Sequence, residues 1–80
     1  MQKSITSREH KIFLACLREA REASGLTQID LAARLGMTQS QVSKCERGER
    51  RLDLIELHAW CQVLGIKLIT FVRTFESRVH

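Results

Sequence analysis

Between positions 38 and 51 the chain reads TQSQVSKCERGERR. Ser40, Ser43, Lys44 and Arg47 recur there at i, i+3, i+4 and i+7, a spacing that puts side chains on one face of a helix. Gln39 stands at the exposed first turn, while Val42 and Cys45 point the other way. None of these outer groups is a nucleophile beside a base, so their chemistry is hydrogen-bonded recognition. Glutamine can engage adenine through two hydrogen bonds, lysine can donate to guanine, and serine can do either. Residues 39–47 would make a helix ~13 Å long, close to the ~12 Å width of the major groove of B-DNA. The rival reading is a solvated surface, with Gln39, Ser40 and Ser43 tolerating water. In that reading Glu46 and Glu49 offset the charge of the arginine-rich end.

A reading face needs elements to hold it. Gly25, Gly36, Gly48 and Gly65 each follow a helical-looking segment, where a left-handed residue commonly ends a helix. Four starts fit or approximate a capping box: Thr6 with Glu9, Thr27 with Asp30, Thr38 with Gln41, and Asp53 with Glu56. Leu26 with Leu31, Met37 with Val42 and Leu52 with Leu57 are spaced as hydrophobic staples. These signals predict helices over 7–24, 28–35, 39–47 and 54–64. Apolar stripes follow at helical spacing: Phe13, Cys16, Leu17 and Ala20 in the first, Leu31 and Leu35 in the second. Leu54, Leu57, Trp60, Cys61 and Leu64 form the stripe of the fourth. Trp60 could stack on a base, but at this spacing it reads as core. After Gly65 the signal divides. Leu68, Phe71, Val72 and Phe75 suit one face of a helix over 68–78. Ile69, Thr70, Phe71 and Val72 also suit a strand that pairs with its twin, and Lys67 is a poor cap. Helix is the favoured reading.

Composition bounds the rest. Eighty residues make one domain at most, here 1–80. Residues 1–6 are expected to be flexible, and 66–80 to be a last helix or a dimer-forming tail. Apolar residues are 44% of the chain, proline and tyrosine are absent, and good helix formers dominate, so the fold class is all-α. A net charge of +4 suits a polyanionic partner. No apolar run approaches a membrane span and no signal sequence opens the chain, so the expected location is cytoplasmic. Cys16, Cys45 and Cys61 lack the spacing of a metal site or a disulfide framework. They read as small buried hydrophobes, with a redox switch at Cys45 as the sharper alternative. His10, His58 and His80 are scattered. No carboxylate pair, Cys–His couple or phosphate-cradling loop appears, and neither catalysis, a metal nor a cofactor is expected.

The string LTQIDLAARLGMTQSQVSKCERGERRLDLIELHAWCQVLGI resembles the Cro/CI-type, or XRE, family of helix-turn-helix regulators, and LTQIDLAARLGMTQSQVSKCERGER is its sharpest part. The resemblance covers about 10–75. It implies a compact five-helix bundle of the phage-repressor type, with helices 2 and 3 forming the helix-turn-helix. It further implies a homodimer on a two-fold-related operator in double-stranded DNA, regulating transcription. By the same resemblance Gln39, Ser40, Ser43 and Lys44 read bases. Thr27, Gln28, Arg47, Arg50 and Arg51 meet the DNA backbone, Gln28 also bracing the recognition helix. Arg21 and Glu46 form an ion pair tying the first helix to the third. Two departures stand out. Cys45 replaces a larger residue, and Lys67 a small capping one. Leu68, Phe71, Val72 and Phe75 offer more apolar surface than so small a core readily uses, and are expected to supply dimer contacts. The same fold could instead serve an antitoxin-like or other protein-interaction module holding an unknown protein partner through its tail.

Overall fold

Reciprocal caps open the three middle helices. Thr27, Thr38 and Asp53 each accept the N–H three residues on, and Asp30, Gln41 and Glu56 accept the N–H of the cap in return. A computed structural model describes residues 7–80. It contains α1 Arg8–Ala23, α2 Gln28–Leu35, α3 Gln39–Arg47, α4 Leu54–Leu64 and α5 Leu68–Val79, with no strand among the described residues. The all-α, five-helix expectation holds. The first start differs by one residue. Ser7 is the cap of α1, its hydroxyl accepting the N–H of His10 at 3.1 Å, while Thr6 lies outside the described residues.

The core draws on every helix: Cys16 and Leu17, Leu31 and Ala32, Val42 and Cys45, then Leu57, Trp60, Cys61, Leu64 and Phe71. Trp60 is only 1% exposed and is a core residue, not a platform for a base. Leu54 departs from its predicted place, at 64% exposure. It does continue the α4 stripe, but spacing specifies a face, and at the first turn of the helix no neighbour among the described residues covers that face. Leu26, Met37 and Leu52 pack half-buried against the core as staples should.

Residues 68–79 are helical despite their strand-loving side chains. The apolar spacing gives a helix one face to bury, and burial outweighs local propensity. Lys67 makes no side-chain cap, as its chemistry requires. The far end of α5 is held instead by Arg8, which donates to the carbonyls of Val79 at 3.0 Å and Arg78 at 3.3 Å. Arg78 pairs with Glu19 of α1 at 2.7 Å. Phe13 of α1 meets Phe71 and Phe75 edge-on, with ring centroids 5.9 and 6.3 Å apart. The four residues expected at a dimer contact are placed differently by this packing. Phe71 is buried in the chain's own core, and Leu68 and Phe75 pack against that core. Val72 remains outside, joined by Ile69, which the apolar spacing alone does not place there. Among the described residues no single helix is long and apolar enough to cross a membrane.

Candidate nucleic-acid interface

The turn from α2 to α3 is Gly36, Met37 and Thr38. Gly36 takes the left-handed conformation at φ 70°, so the chain reverses without a strained side chain. Thr38 and Gln41 then lock the start of α3, with Thr38 Oγ1 accepting at 3.1 Å and Gln41 Oε1 at 2.9 Å. Val42 and Cys45 bury the inner face of α3 almost completely. Gln39, Ser40, Lys44 and Arg47 remain exposed on the outside, and Ser43 is half-buried. These side chains therefore lie together on the outer surface of α3.

Beneath it runs a chain of polar contacts. Arg21 of α1 donates through Nε to Glu46 Oε2 at 2.6 Å and through Nη2 to Oε1 at 3.1 Å. Its Nη1 donates to the Leu26 carbonyl at 3.0 Å. The pair is shielded from water, with 11% and 4% of the two side chains exposed. The guanidinium pKa is raised, first by its hydrogen bond to Glu46. Removing either partner of a buried pair costs about 3–5 kcal/mol, because the other charge is left uncompensated. Gln28 Nε2 donates to Glu46 Oε1 at 2.9 Å, and Gln39 Nε2 donates to Gln28 Oε1 at 2.7 Å. The two glutamines that open α2 and α3 are thus bonded to each other and, through Glu46, to α1.

The basic edge is less open than its composition suggests. Arg47 bonds the Ser43 hydroxyl and forks onto Glu49 at 3.0 and 3.2 Å. Arg50 donates to Glu56 at 2.8 Å and reaches Cys45 Sγ at 3.5 Å. Glu56 also accepts the N–H of Asp53 at 3.0 Å, so one carboxylate closes both the cap of α4 and the loop before it. Arg51 is exposed in the same loop and lines a surface cavity of about 320 Å³ with Ser7, Glu9, His10, Phe13, Leu52 and Phe75. Thr27 is exposed at the head of α2, its hydroxyl engaged by the Asp30 N–H at 3.0 Å. Sequence reasoning read Glu56 only as a capping residue and missed its hold on Arg50. The resemblance implied that Gln28 braces the recognition helix but did not name Gln39 as its partner, since a separation of eleven residues carries no local signal for a contact.

Cys16, Cys45 and Cys61 are all free and buried. Burial pushes the Cys45 thiol pKa up, against a smaller opposing effect of Arg50. At 1% exposure it is a packing residue, which weighs against a redox switch. Among the described residues no group of three His, Cys, Asp or Glu could hold a metal ion.

A pair of helices joined by a tight turn, the second carrying an exposed polar face, defines a helix-turn-helix protein. The helix-turn-helix family model matches residues 17–71. An XRE-family like protein from Pseudomonas syringae pv. tomato has a solved structure 43% identical in sequence, with a TM-score of 0.82 over 90% of this chain and 88% of that one. An uncharacterized HTH-type transcriptional regulator of Sinorhizobium fredii, y4dJ, is 38% identical over 65% of this chain and 68% of its own. The clp gene regulator ClgR of C. glutamicum shares the fold at a TM-score of 0.78, with 22% identity over 89% of this chain and 91% of its own. The chain belongs to the XRE family of helix-turn-helix proteins.

Proposed function

We propose that this chain is a sequence-specific regulator of transcription that binds double-stranded DNA in the cytoplasm. It acts as one domain and, in this reading, as a homodimer on a two-fold-related operator. The observation that carries the reading is the outer face of α3. Gln39, Ser40 and Lys44 are exposed together on a helix whose other face is buried and tied to α1 and α2. Gln39, Ser40, Ser43 and Lys44 read base edges. Thr27, Gln28, Arg47, Arg50 and Arg51 meet phosphates, which supply affinity without sequence choice. Arg47 and Arg50 do so by exchanging Glu49 and Glu56 for the nucleic acid, so part of their Coulombic gain is offset.

The test is selection from a random duplex pool, followed by salt titrations on the selected and a scrambled duplex. Selected sites should contain half-sites whose centres lie about 34 Å apart. Gln39→Ala should cost roughly 1–3 kcal/mol on the selected site and leave the scrambled duplex almost unaffected. Arg51→Ala should weaken both, and lower the salt slope by about one unit for every phosphate that the arginine neutralises. A pool that yields no enriched sequence, with both variants binding as the wild type does, would remove DNA as the partner. The protein-interaction reading would then take its place.

A further inference from the structure

We infer that Glu46, which sits beneath the reading face, sets which end of the Gln39 amide is offered to a base. The inference rests on the DNA-reading role of Gln39 proposed above. Its physical basis is the direction of the hydrogen bonds. Arg21 has only donors, so both Glu46 oxygens are acceptors committed to it. A carboxylate in that position cannot donate. Gln28 must therefore turn its amide nitrogen toward Glu46 Oε1, 2.9 Å away. Its oxygen is then the only group left to face Gln39, whose nitrogen donates to it at 2.7 Å. Choosing which amide end is oxygen is ordinarily ambiguous, but here the acceptor-only carboxylate decides it.

The consequence lies at the surface. With one hydrogen on Gln28, Gln39 presents its remaining N–H and its oxygen outward. One donor beside one acceptor matches adenine, which offers N7 and the N6 amino group. If the relay were reversed, the Gln39 oxygen would accept from position 28 and both N–H groups would face out. Two donors match guanine, which offers N7 and O6. Glu46 is thus a positioning residue for specificity, acting through two glutamines.

Two variants reverse the relay from different places. Arg21→Glu combined with Glu46→Lys exchanges the two charges, keeping an ion pair while putting a donor where Oε1 accepted from Arg21 and Gln28, so Gln28 flips and Gln39 follows. Gln28→Lys leaves the Arg21–Glu46 pair intact and offers donors to both Glu46 and Gln39. Base preference is read by duplex selection, at the position whose preference Gln39→Ala flattens. Both variants should move that position from adenine toward guanine by about fivefold or more, a modest share of the discrimination one bidentate pair supplies. The other positions should keep their ranking. A merely structural role would lower affinity for all sequences and leave the ranking alone. Either variant, folded and still preferring adenine there as the wild type does, overturns the inference. If the charge-exchanged double variant fails to fold, Gln28→Lys decides. A readout without DNA is the side-chain amide spectrum of labelled wild-type protein. The two Gln39 N–H protons should be shifted unequally from their free-glutamine positions, because one donates to Gln28, and return toward those positions in Gln28→Met. Wild-type protons at the free-glutamine positions would also overturn it. Shifted protons in a protein that selects no duplex would instead break the DNA reading and leave the relay standing.

Discussion

At the residue scale, His10 shows how a site without a ligand can still set a pH dependence. Among the described residues its Nε2 is buried with no hydrogen-bond partner, and it lies against Gly48, the cap that ends α3. Burial lowers its pKa from the ordinary 6.5, and the positive charge of Arg51 lowers it further. Folding therefore selects the neutral ring. The stability this confers is complete above about pH 6.5, where the unfolded chain is neutral too, and declines as the pH falls toward the lower folded value. Carboxylates such as Glu56, held below 4.5 by the N–H of Asp53 and then by Arg50, act at lower pH and leave this window clear. Melting temperatures between pH 7.5 and 5.5 should fall more for the wild type than for His10→Gln. Parallel curves would show that the ring protonates as readily in the folded protein as in the unfolded one.

At the element scale, the glycines that end helices look alike in sequence and differ in their surroundings. Gly36 and Gly48 both have positive φ, so alanine at either position incurs left-handed strain of roughly 1–2 kcal/mol. A methyl group on Gly36 meets nothing within 4 Å. On Gly48 it would stand 2.9 Å from Leu14 Cδ1 and 3.3 Å from His10 Nε2, because the end of α3 is pressed against α1. Leu14 Cδ1 is the end of a flexible side chain, so relieving the contact adds about 0.5–1.5 kcal/mol of rotamer strain. Denaturant midpoints should therefore drop further for Gly48→Ala than for Gly36→Ala. Equal losses would mean that Leu14 moves aside freely, and that α1 does not fix where α3 ends.

At the scale of the whole molecule, the large apolar residues exposed among the described residues are Ile29, Leu54, Ile55, Ile69 and Val72. A two-fold dimer brings the same patch of each copy together, so an exposed apolar cluster serves both sides at once. In the proposed dimer Ile69 and Val72 are the contact residues of α5, since Phe71 is already used within the chain. Ile69→Glu and Val72→Glu should lower self-association in sedimentation experiments, with melting temperatures of the monomer close to the wild type. Phe71→Ala should destabilise the fold itself, by about 3–5 kcal/mol for a buried phenylalanine. A wild-type protein that stays monomeric at high micromolar concentration, with or without a selected duplex, would exclude the two-fold arrangement.

The local code was legible in the chain because its effects act over three or four residues. Thr27, Thr38 and Asp53 cap helices, and Gly36, Gly48 and Gly65 end them, through contacts with their own near neighbours. The stripe of Ser40, Lys44 and Arg47 is a matter of helical period alone. The Arg21–Glu46 pair was reached through family resemblance, since no local rule joins residues that far apart. Tertiary structure decided what depends on which surfaces meet. It turned Phe71 inward and left Leu54 in water, although both sit at apolar helical spacing, because only one has a helix opposite it. It made 68–79 a helix by giving that face something to bury against. It also joined Gln39 to Gln28 and Gln28 to Glu46. A hydrogen bond between side chains on different helices depends on how those helices pack, and that packing is a property of the whole core.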